Sequence, residues 1–358
     1  MSTTYYWTDD DGDHDFENPS GNNWKTAAGV SIGNGTAKTF TVATTTDVLT
    51  ATSHGLVAGR AVRLTTTGTL PDGLSLLTTY YAGAIDGNDF KLYSTAAKGV
   101  AGSTDQVTID DAGTGTHTVT PLLYPGVAAA DAIIFPSYAA AAPSVSMNQA
   151  SNPNGINNLT VEDGYAYGIG TRENPLYLKQ AAAGTWTFKG NDHLDIWIVS
   201  GTTAVAVVRV LDCSTSYAIH LAFGTAAATL ADVTAGSVVF ESSLFGVTSL
   251  GVATLNTSKQ VSGAQPSVTV DCPVTTALNN YGAVVDWVSG TIANLSNYDG
   301  TFRCSKSTAA RTLTASTCYG GTVDFRTGVK GVLTLTAAIK FDGGSSPLWD
   351  FGESLQRS

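Results

Sequence analysis

The segments Leu194-Asp195-Ile196-Trp197-Ile198-Val199 and Val205-Ala206-Val207-Val208-Arg209-Val210-Leu211 carry the pattern that decides the fold. Both are rich in β-branched and aromatic residues, and alternate positions are apolar, which is typical of strands with one face turned inward. Similar runs, separated by Gly, Asn, Asp, Ser or Pro, lie at 185–188, 237–240, 267–270, 282–288, 322–325 and 331–336. The sequence therefore predicts an all-β protein.

The runs after residue 155 are short and rich in Thr, Val, Gly and Ala, and only 13% of the chain is charged, against about 25% in ordinary globular domains. A β-solenoid needs few charges because stacked rungs bury small and β-branched side chains on successive turns. A β-sandwich or barrel gives similar strand spacing and is the alternative. No strict repeat consensus is visible, so we predict an irregular, β-helix-like solenoid over residues 159–358.

Residues 39–121 differ from the rest of the chain because polar turns are denser there. The strand-like runs 60–64, 79–82 and 90–93 lie between turns such as Leu70-Pro71-Asp72-Gly73 and Gly113-Thr114-Gly115. About 80 residues with five or six strands suffice to close a small barrel. We predict an inserted β-barrel module at 39–121, and residues 1–38 and 122–158 are assigned to an N-terminal cap and attachment region.

Charge argues against two classes of partner. The formal net charge is −11, from 18 basic and 29 acidic residues. Nucleic-acid binding needs clustered Lys and Arg, and an anionic membrane surface repels an acidic chain. No run of about 18 apolar residues is present, and the N-terminal segment lacks the basic and apolar regions of a signal peptide. We therefore expect no nucleic-acid or membrane partner, and assembly in a cytoplasm.

Two passages resemble bacteriophage virion proteins. In the first, His54-Gly55-Leu56, Gly59-Arg60-Ala61-Val62-Arg63-Leu64, Asp89-Phe90-Lys91-Leu92 and the run 113–119 resemble a small β-barrel module that recurs in phage tail and head-surface proteins. This match covers about 80 residues. The family usually has an acidic residue where Arg60 stands, a difference that leaves the fold prediction intact.

The second passage is split. Tyr5-Tyr6-Trp7 and Asn23-Trp24 resemble the opening of a phage β-helix protein, and the matching continuation follows only at Pro125, Asp131 and Ile133-Ile134-Phe135. The barrel thus interrupts the capping turn of the predicted solenoid. Solenoid ends carry unpaired strand edges that need covering. We predict that Trp7, Trp24, Ile133, Ile134 and Phe135 cap the first rung, and that residues 341–351, including Trp349, close the other end.

The resemblance implies a homotrimeric virion component displayed outside the particle. The absence of a coiled-coil shaft or a collagen-like stalk favours the head over the tail. We expect a capsid decoration, cement or head-fibre protein at the virion surface, bound to the major capsid protein or another virion protein. A tail fibre or tailspike-type adhesin that binds host surface glycan is the alternative.

Candidate chemical residues form no signature. The turn Asp9–Asp15 offers the carboxylates that Ca²⁺ prefers but not the EF-hand spacing, so we expect a solvated acidic turn. Glycoside hydrolysis needs two facing carboxylates. The strand-like segments supply Asp195, Glu241, Asp286, Asp299 and Asp324, with Trp197, Trp287 and Tyr298 as sugar-stacking candidates, but no pair stands out.

The histidines and cysteines support the same conclusion. The five histidines, His14, His54, His117, His193 and His220, show no metal-ligand spacing, and we expect His54 and His117 to stabilise barrel turns. Cys213, Cys272, Cys304 and Cys318 fit no zinc pattern and are predicted to be small buried apolar residues. The sequence therefore predicts no catalytic, cofactor or metal site, and a protein that is not an enzyme.

Overall fold

The computed structural model describes residues 3–10, 16, 21–95, 98–99, 102, 104–126, 130–139, 155–173, 175–178, 180, 184–190, 195–200, 205–214, 216–224, 226–244, 246–260, 263–304, 309–325, 333–342 and 348–350. This part of the chain is nearly all β. None of its helical residues belongs to a helix long and apolar enough to cross a membrane. The chain divides into two compact units, which are described separately.

The first unit comprises Met1–Ala132, Pro143–Ile156 and Tyr177–Lys179. Its strands β1 and β2 pair in antiparallel fashion, and strands β3 to β8 close an antiparallel barrel in the order β3-β4-β7-β6-β5-β8. The predicted inserted barrel is therefore confirmed as a six-strand closed module. The strand bounds are β1 Thr4–Trp7, β2 Trp24–Lys25, β3 Lys38–Ala43, β4 Val48–Thr50, β5 Ala61–Thr66, β6 Tyr80–Ala84, β7 Asp89–Tyr93 and β8 His117–Pro121.

Apolar and polar residues alternate along the barrel strands, and the apolar side chains fill the barrel interior. Inward positions carry large apolar side chains such as Phe40, Leu64, Phe90 and Val119, all buried in one cluster. The alternate positions of β8 are polar threonines that are partly exposed. An antiparallel strand buried on one face requires this pattern, because successive side chains point to opposite faces.

The second unit comprises Ile133–Ala142, Asn157–Leu176 and Gln180–Ser358 and forms a β-solenoid of about seven turns. The strands that continue the chain are β9 Asp131–Phe135, β10 Ile156–Val161, β11 Leu176–Leu178, β12 Thr185–Phe188, β13 Ile196–Ser200, β14 Val207–Val210, β15 Ala218–Phe223, β16 Ala228–Val233, β17 Ser237–Phe240, β18 Ser243–Leu244, β19 Val247–Thr248, β20 Val252–Ser258, β21 Ser267–Asp271, β22 Val274–Cys304, β23 Arg311–Cys318, β24 Thr322–Asp324, β25 Leu333–Leu335, β26 Ile339–Phe341 and β27 Leu348–Asp350. The solenoid prediction is confirmed, and the sandwich alternative is wrong.

The strands of the two long sheets pair in parallel with the equivalent strand one turn later, whereas β18 and β19 pair with each other in antiparallel fashion. One sheet stacks β10, β12, β14, β16, β20 and the start of β22, and a second stacks β13, β15, β17, β21 and the middle of β22. The register places a column of buried residues along the first sheet: Leu159, Trp186, Val208, Ala231, Leu255 and Leu278. These partners lie 22 to 27 positions apart in the sequence, which is why no strict repeat was visible.

The predicted N-terminal cap residues fall in both units. In the first unit, the rings of Trp7 and Trp24 lie 5.2 Å apart, and Phe16 packs against Trp24 at 4.9 Å. In the second, Ile133 and Phe135 are buried and Ile134 is partly exposed. Covering of the first rung by all five residues stays a prediction.

At the other end, Trp349 is the register partner of Val323, and Phe341 is 54% exposed. Residues 343–347 and Phe351 lie outside the described residues. The predicted C-terminal cap therefore also stays a prediction.

Replacement of Trp24 tests the aromatic cluster. Trp24 is fully buried and its Nε1 donates to the Phe16 carbonyl oxygen over 3.0 Å. We expect Trp24→Ala to lower the free energy of unfolding by about 3–5 kcal/mol, since truncation leaves a large cavity. Urea denaturation measures this loss. Leu77→Ala is the control, because Leu77 is 87% exposed, and equal stability of the two variants would contradict the packing role of Trp24.

Candidate functional site

Three successive corners of the solenoid share a local sequence pattern. The corners read Asn280-Tyr281-Gly282-Ala283, Asn297-Tyr298-Asp299-Gly300 and Cys318-Tyr319-Gly320-Gly321. Each contains a glycine with positive φ, at +146° for Gly282, +79° for Gly300 and +72° for Gly321. A Cβ at Gly300 would lie 2.4 Å from the Ala283 carbonyl oxygen, so the close stacking of corners requires glycine there.

A second column of buried residues runs through the inside of these corners, and its residues change from apolar to polar along the solenoid axis. In register, the column runs through Val161, Phe188, Val210, Val233, Thr257, Asn280, Asn297 and Cys318. Asn280 Oδ1 accepts hydrogen bonds from Thr257 Oγ1 and from the Ala283 backbone N–H, both over 2.8 Å. Its Nδ2 donates to Asn297 Oδ1 over 2.8 Å, and Asn297 Nδ2 donates to the Gly320 carbonyl oxygen over 2.6 Å. These amides therefore tie four consecutive rungs together at the corner.

Outside the same corners, three tyrosines form what we call the tyrosine ladder: Tyr281, Tyr298 and Tyr319. Adjacent rings are 4.6 and 4.5 Å apart with interplanar angles of 11° and 2°. The three residues are 45%, 39% and 36% exposed. Large aromatic side chains that stack on one another are seldom this exposed to solvent. Partial burial raises the pKa of the Tyr281 phenol, and a hydrogen bond with Tyr298 adds to the increase.

The surroundings of the ladder carry little net charge. Lys259 reaches across Gly282, and its Nζ lies 2.6 Å from Asp299 Oδ2. This contact holds the pKa of the Asp299 carboxyl below its usual value, chiefly through the hydrogen bond from Lys259. Both side chains are substantially exposed, so the pair contributes little to stability, but it neutralises the only charge within the three corner motifs.

The ladder geometry decides what the tyrosines can bind. Both faces of the Tyr298 ring are covered by its neighbours, so a sugar cannot stack on that ring. The ring edges and the hydroxyl groups remain for contact with another molecule. A phenolic hydroxyl both donates and accepts hydrogen bonds.

The other sugar-stacking candidates are also committed to contacts. Trp287 is fully buried and packs against Phe302 at 5.9 Å, so it cannot meet a sugar. Trp197 stacks on His220 with ring centroids 3.4 Å apart, and His220 Nδ1 lies 2.7 Å from Glu241 Oε1. A carboxylate that orients an imidazole is half of a general-base arrangement. Among the described residues, no Ser or Cys side chain forms a hydrogen bond with that imidazole.

The remaining carboxylate candidates contact a guanidinium or a backbone N–H group. Both oxygens of Asp286 accept hydrogen bonds from the Arg303 guanidinium. Hydrogen bonding and charge from Asp286, with a smaller effect of Asp324, raise the pKa of Arg303. Asp195 Oδ1 accepts a hydrogen bond from the Ala218 backbone N–H over 2.8 Å. Asp324 is the register partner of Arg303, so Asp286 and Asp324 both lie beside one guanidinium.

The described histidines of the barrel play the expected local roles. His54 Nδ1 accepts a hydrogen bond from the Leu56 N–H over 2.8 Å, and His117 Nε2 lies 3.0 Å from the Ala112 carbonyl oxygen. His14 and His193 lie outside the described residues, as do Asp11, Asp13 and Asp15 of the predicted acidic turn. Within the described ranges, no group of three or more His, Cys, Asp or Glu residues could hold a metal ion.

A surface cavity of about 470 Å³ lies on the barrel. Its lining combines small residues, such as Gly83 and Ala84, with the polar side chains of Lys91, Thr104 and Gln106. The volume is within the usual range for small-molecule sites. The sequence did not point to this cavity, because its lining comes from β6, β7, the loop that follows them and Ala58 in the loop before β5.

Comparison with known proteins gave no relative: no family model, no curated protein and no solved structure matches the chain. Sequence reasoning had singled out Tyr298 but missed Tyr281, Tyr319 and the asparagine column. The signal that could have found them is the motif Asn/Cys-Tyr followed within two residues by Gly. The intervals of 17 and 21 positions between its three copies hid it from a search for a fixed period.

The asparagine column predicts a specific loss of stability. Asn297→Ala removes one amide from the column. Asn280 Nδ2 then keeps only its bond to the Ala283 carbonyl oxygen, and the Gly320 carbonyl oxygen keeps only its contact with Cys318 Sγ. Each of the two lost hydrogen bonds contributes about 0.5–1.5 kcal/mol, so we expect a loss of about 1–3 kcal/mol in urea denaturation. Asn294→Ala is the matched control, because the Asn294 amide bonds to Thr276 at the exposed surface. Equal losses in the two variants would argue against the column.

The burial of the cysteines predicts that their thiols do not react in the folded protein. All four are free and buried, as expected. Burial raises the pKa of Cys304 to about 12 and also raises the pKa of Cys272 and Cys318. Because the thiolate is the reactive species, we expect almost no reaction with Ellman's reagent at pH 8 before unfolding, and four thiols per chain in guanidinium chloride. Rapid labelling of the folded protein would contradict this burial.

Proposed function

We propose that the protein is a structural component of a virion surface: a homotrimeric capsid decoration or cement protein of the head-fibre type. It attaches to the major capsid protein or to another virion protein. The observation that carries the proposal is the stacked solenoid, whose candidate catalytic carboxylates and imidazole are held in structural contacts. The barrel at the position of the phage-like sequence passage supports the same assignment.

The physical work of such a protein is mechanical. Parallel pairing joins each rung to the rungs before and after it, and the buried columns remove apolar surface from water along the whole axis. Local opening at one rung therefore breaks hydrogen bonds and packing on both sides, which makes the solenoid resistant to proteases. Bound to capsid subunits, a rigid body of this kind opposes their separation.

An adhesin that binds host surface glycan is the second candidate function. The barrel cavity favours it, since the polar side chains of Lys91, Thr104 and Gln106 suit a hydroxyl-rich ligand. A glycan array with the purified protein separates the two functions. Binding that is lost on Lys91→Ala would support the adhesin, whereas a structural protein gives no specific binding.

The structural proposal predicts a trimer in solution. Light scattering coupled to size-exclusion chromatography is expected to give about three times the chain mass of 36.9 kDa, with a β-type circular dichroism spectrum. A monomer at micromolar concentration would overturn the trimer.

The cement role predicts weaker particles when the protein is missing. Particles assembled without it are expected to release DNA at a lower temperature than complete particles, and adding the purified protein back should restore the difference. An image reconstruction should place the protein on the capsid. Unchanged heat resistance of the depleted particles would contradict the cement role, and density at the tail alone would favour the adhesin.

A further inference from the structure

We propose that the tyrosine ladder is the lateral contact through which three copies of this chain meet, with each ladder facing the same ladder of the other two copies along the three-fold axis. The inference rests on the proposed homotrimer and names the surface that forms it. The occupant of the ladder surface is thus a second and a third copy of this chain.

Charge is the first argument that the ladder contacts another copy of the same chain. Each chain carries a formal net charge of −11, so two copies repel unless they meet at a neutral surface. The columns beside the ladder consist of uncharged, partly exposed residues: Asn279, Ser296 and Thr317 on one side, and Val284, Thr301 and Thr322 on the other. On these three rungs the nearest charges are paired within the chain, Lys259 with Asp299 and Arg303 with Asp286. The next rung carries two exposed charges of opposite sign, Lys340 and Asp342.

Preorganisation is the second argument. Association costs free energy for every side chain that must be ordered. Here the rings are already ordered by stacking at 4.5 and 4.6 Å, and the corner backbone beneath them is fixed by Asn280 and Asn297. Tyrosine is enriched in interface cores because it buries a large area while retaining a hydroxyl for hydrogen bonding.

Symmetry is the third argument. A three-fold axis parallel to the solenoid axis keeps equivalent rungs at equal height, so Tyr298 meets Tyr298 of the other copies. Because the corner projects outward, the same corner of all three copies can approach such an axis together. A group that meets two copies of itself must both donate and accept hydrogen bonds; a tyrosine hydroxyl does both, whereas an ammonium or a carboxylate cannot. Stable interfaces bury about 800 Å² per partner, so the neutral flanking columns belong to the contact as well.

A charge-insertion variant tests the contact. Tyr298→Arg places three cations at the proposed axis, so we expect light scattering to show a monomer at micromolar concentration with an unchanged β-type spectrum. Tyr298→Phe keeps the ring but loses the hydroxyl hydrogen bonds at the axis, so it should still form a trimer, one that dissociates more readily on dilution than the unmodified trimer. Leu77→Arg on the exposed barrel surface is the charge control and should also remain trimeric.

Cross-linking tests the same contact in a chain whose assembly is intact. We expect Tyr298→Cys to give covalent dimers with a short bismaleimide, because equivalent positions meet at the axis. The four native cysteines are buried and provide a silent background. Leu77→Cys should give no dimer. Absence of dimers from a Tyr298→Cys trimer would overturn the inference.

The outcomes separate this inference from the proposed function. A monomeric unmodified chain would overturn the homotrimer and the ladder contact with it. If the unmodified chain and Tyr298→Arg are both trimeric, the ladder inference is wrong while the proposed function stands. Trimeric Tyr298→Arg that has lost glycan binding or capsid attachment would assign the ladder to that other partner and would equally overturn the contact between copies.

Discussion

The in-register parallel stacking of one rung on the next is the interaction on which the structure depends. Strands of neighbouring rungs lie about 4.8 Å apart, and this distance fixes everything that is repeated along the axis. The buried column from Leu159 to Leu278, the internal amides and the external tyrosines are all consequences of the same register. Because equivalent side chains must lie on top of one another, each rung restricts which residue types the next can use at that position.

That restriction explains how a polar column can occupy a core. A single buried amide would leave donors and acceptors unpaired at a cost of about 1–3 kcal/mol. Asn280 and Asn297 instead bond to each other, to Thr257 and to corner backbone groups that have no strand partner. The column is thus a hydrogen-bonded network that also holds the backbone of the corners carrying the external tyrosines.

Charged and aromatic side chains are arranged differently on the solenoid. Asp286 and Asp299 each have a cationic partner within the chain, and Glu241 contacts His220. In contrast, the ladder residues combine exposure, order and neutrality at one corner, which is a combination suited to a partner of the same negative charge.

Sequence patterns alone predicted the all-β class, the barrel between residues 39 and 121 and the solenoid that follows, because period-two alternation, turn residues and low charge are local properties of the chain. It also predicted the burial of the cysteines and the local roles of His54 and His117, since residue type and neighbouring turns suffice for both. The burial of Trp287 and the single stack formed by three tyrosines became apparent only from the folded structure: Tyr281, Tyr298 and Tyr319. The reason is physical: which residues share a column depends on the length of each turn, and the turns here vary in length, so alignment along the axis is set by strand pairing between rungs and not by spacing in the sequence.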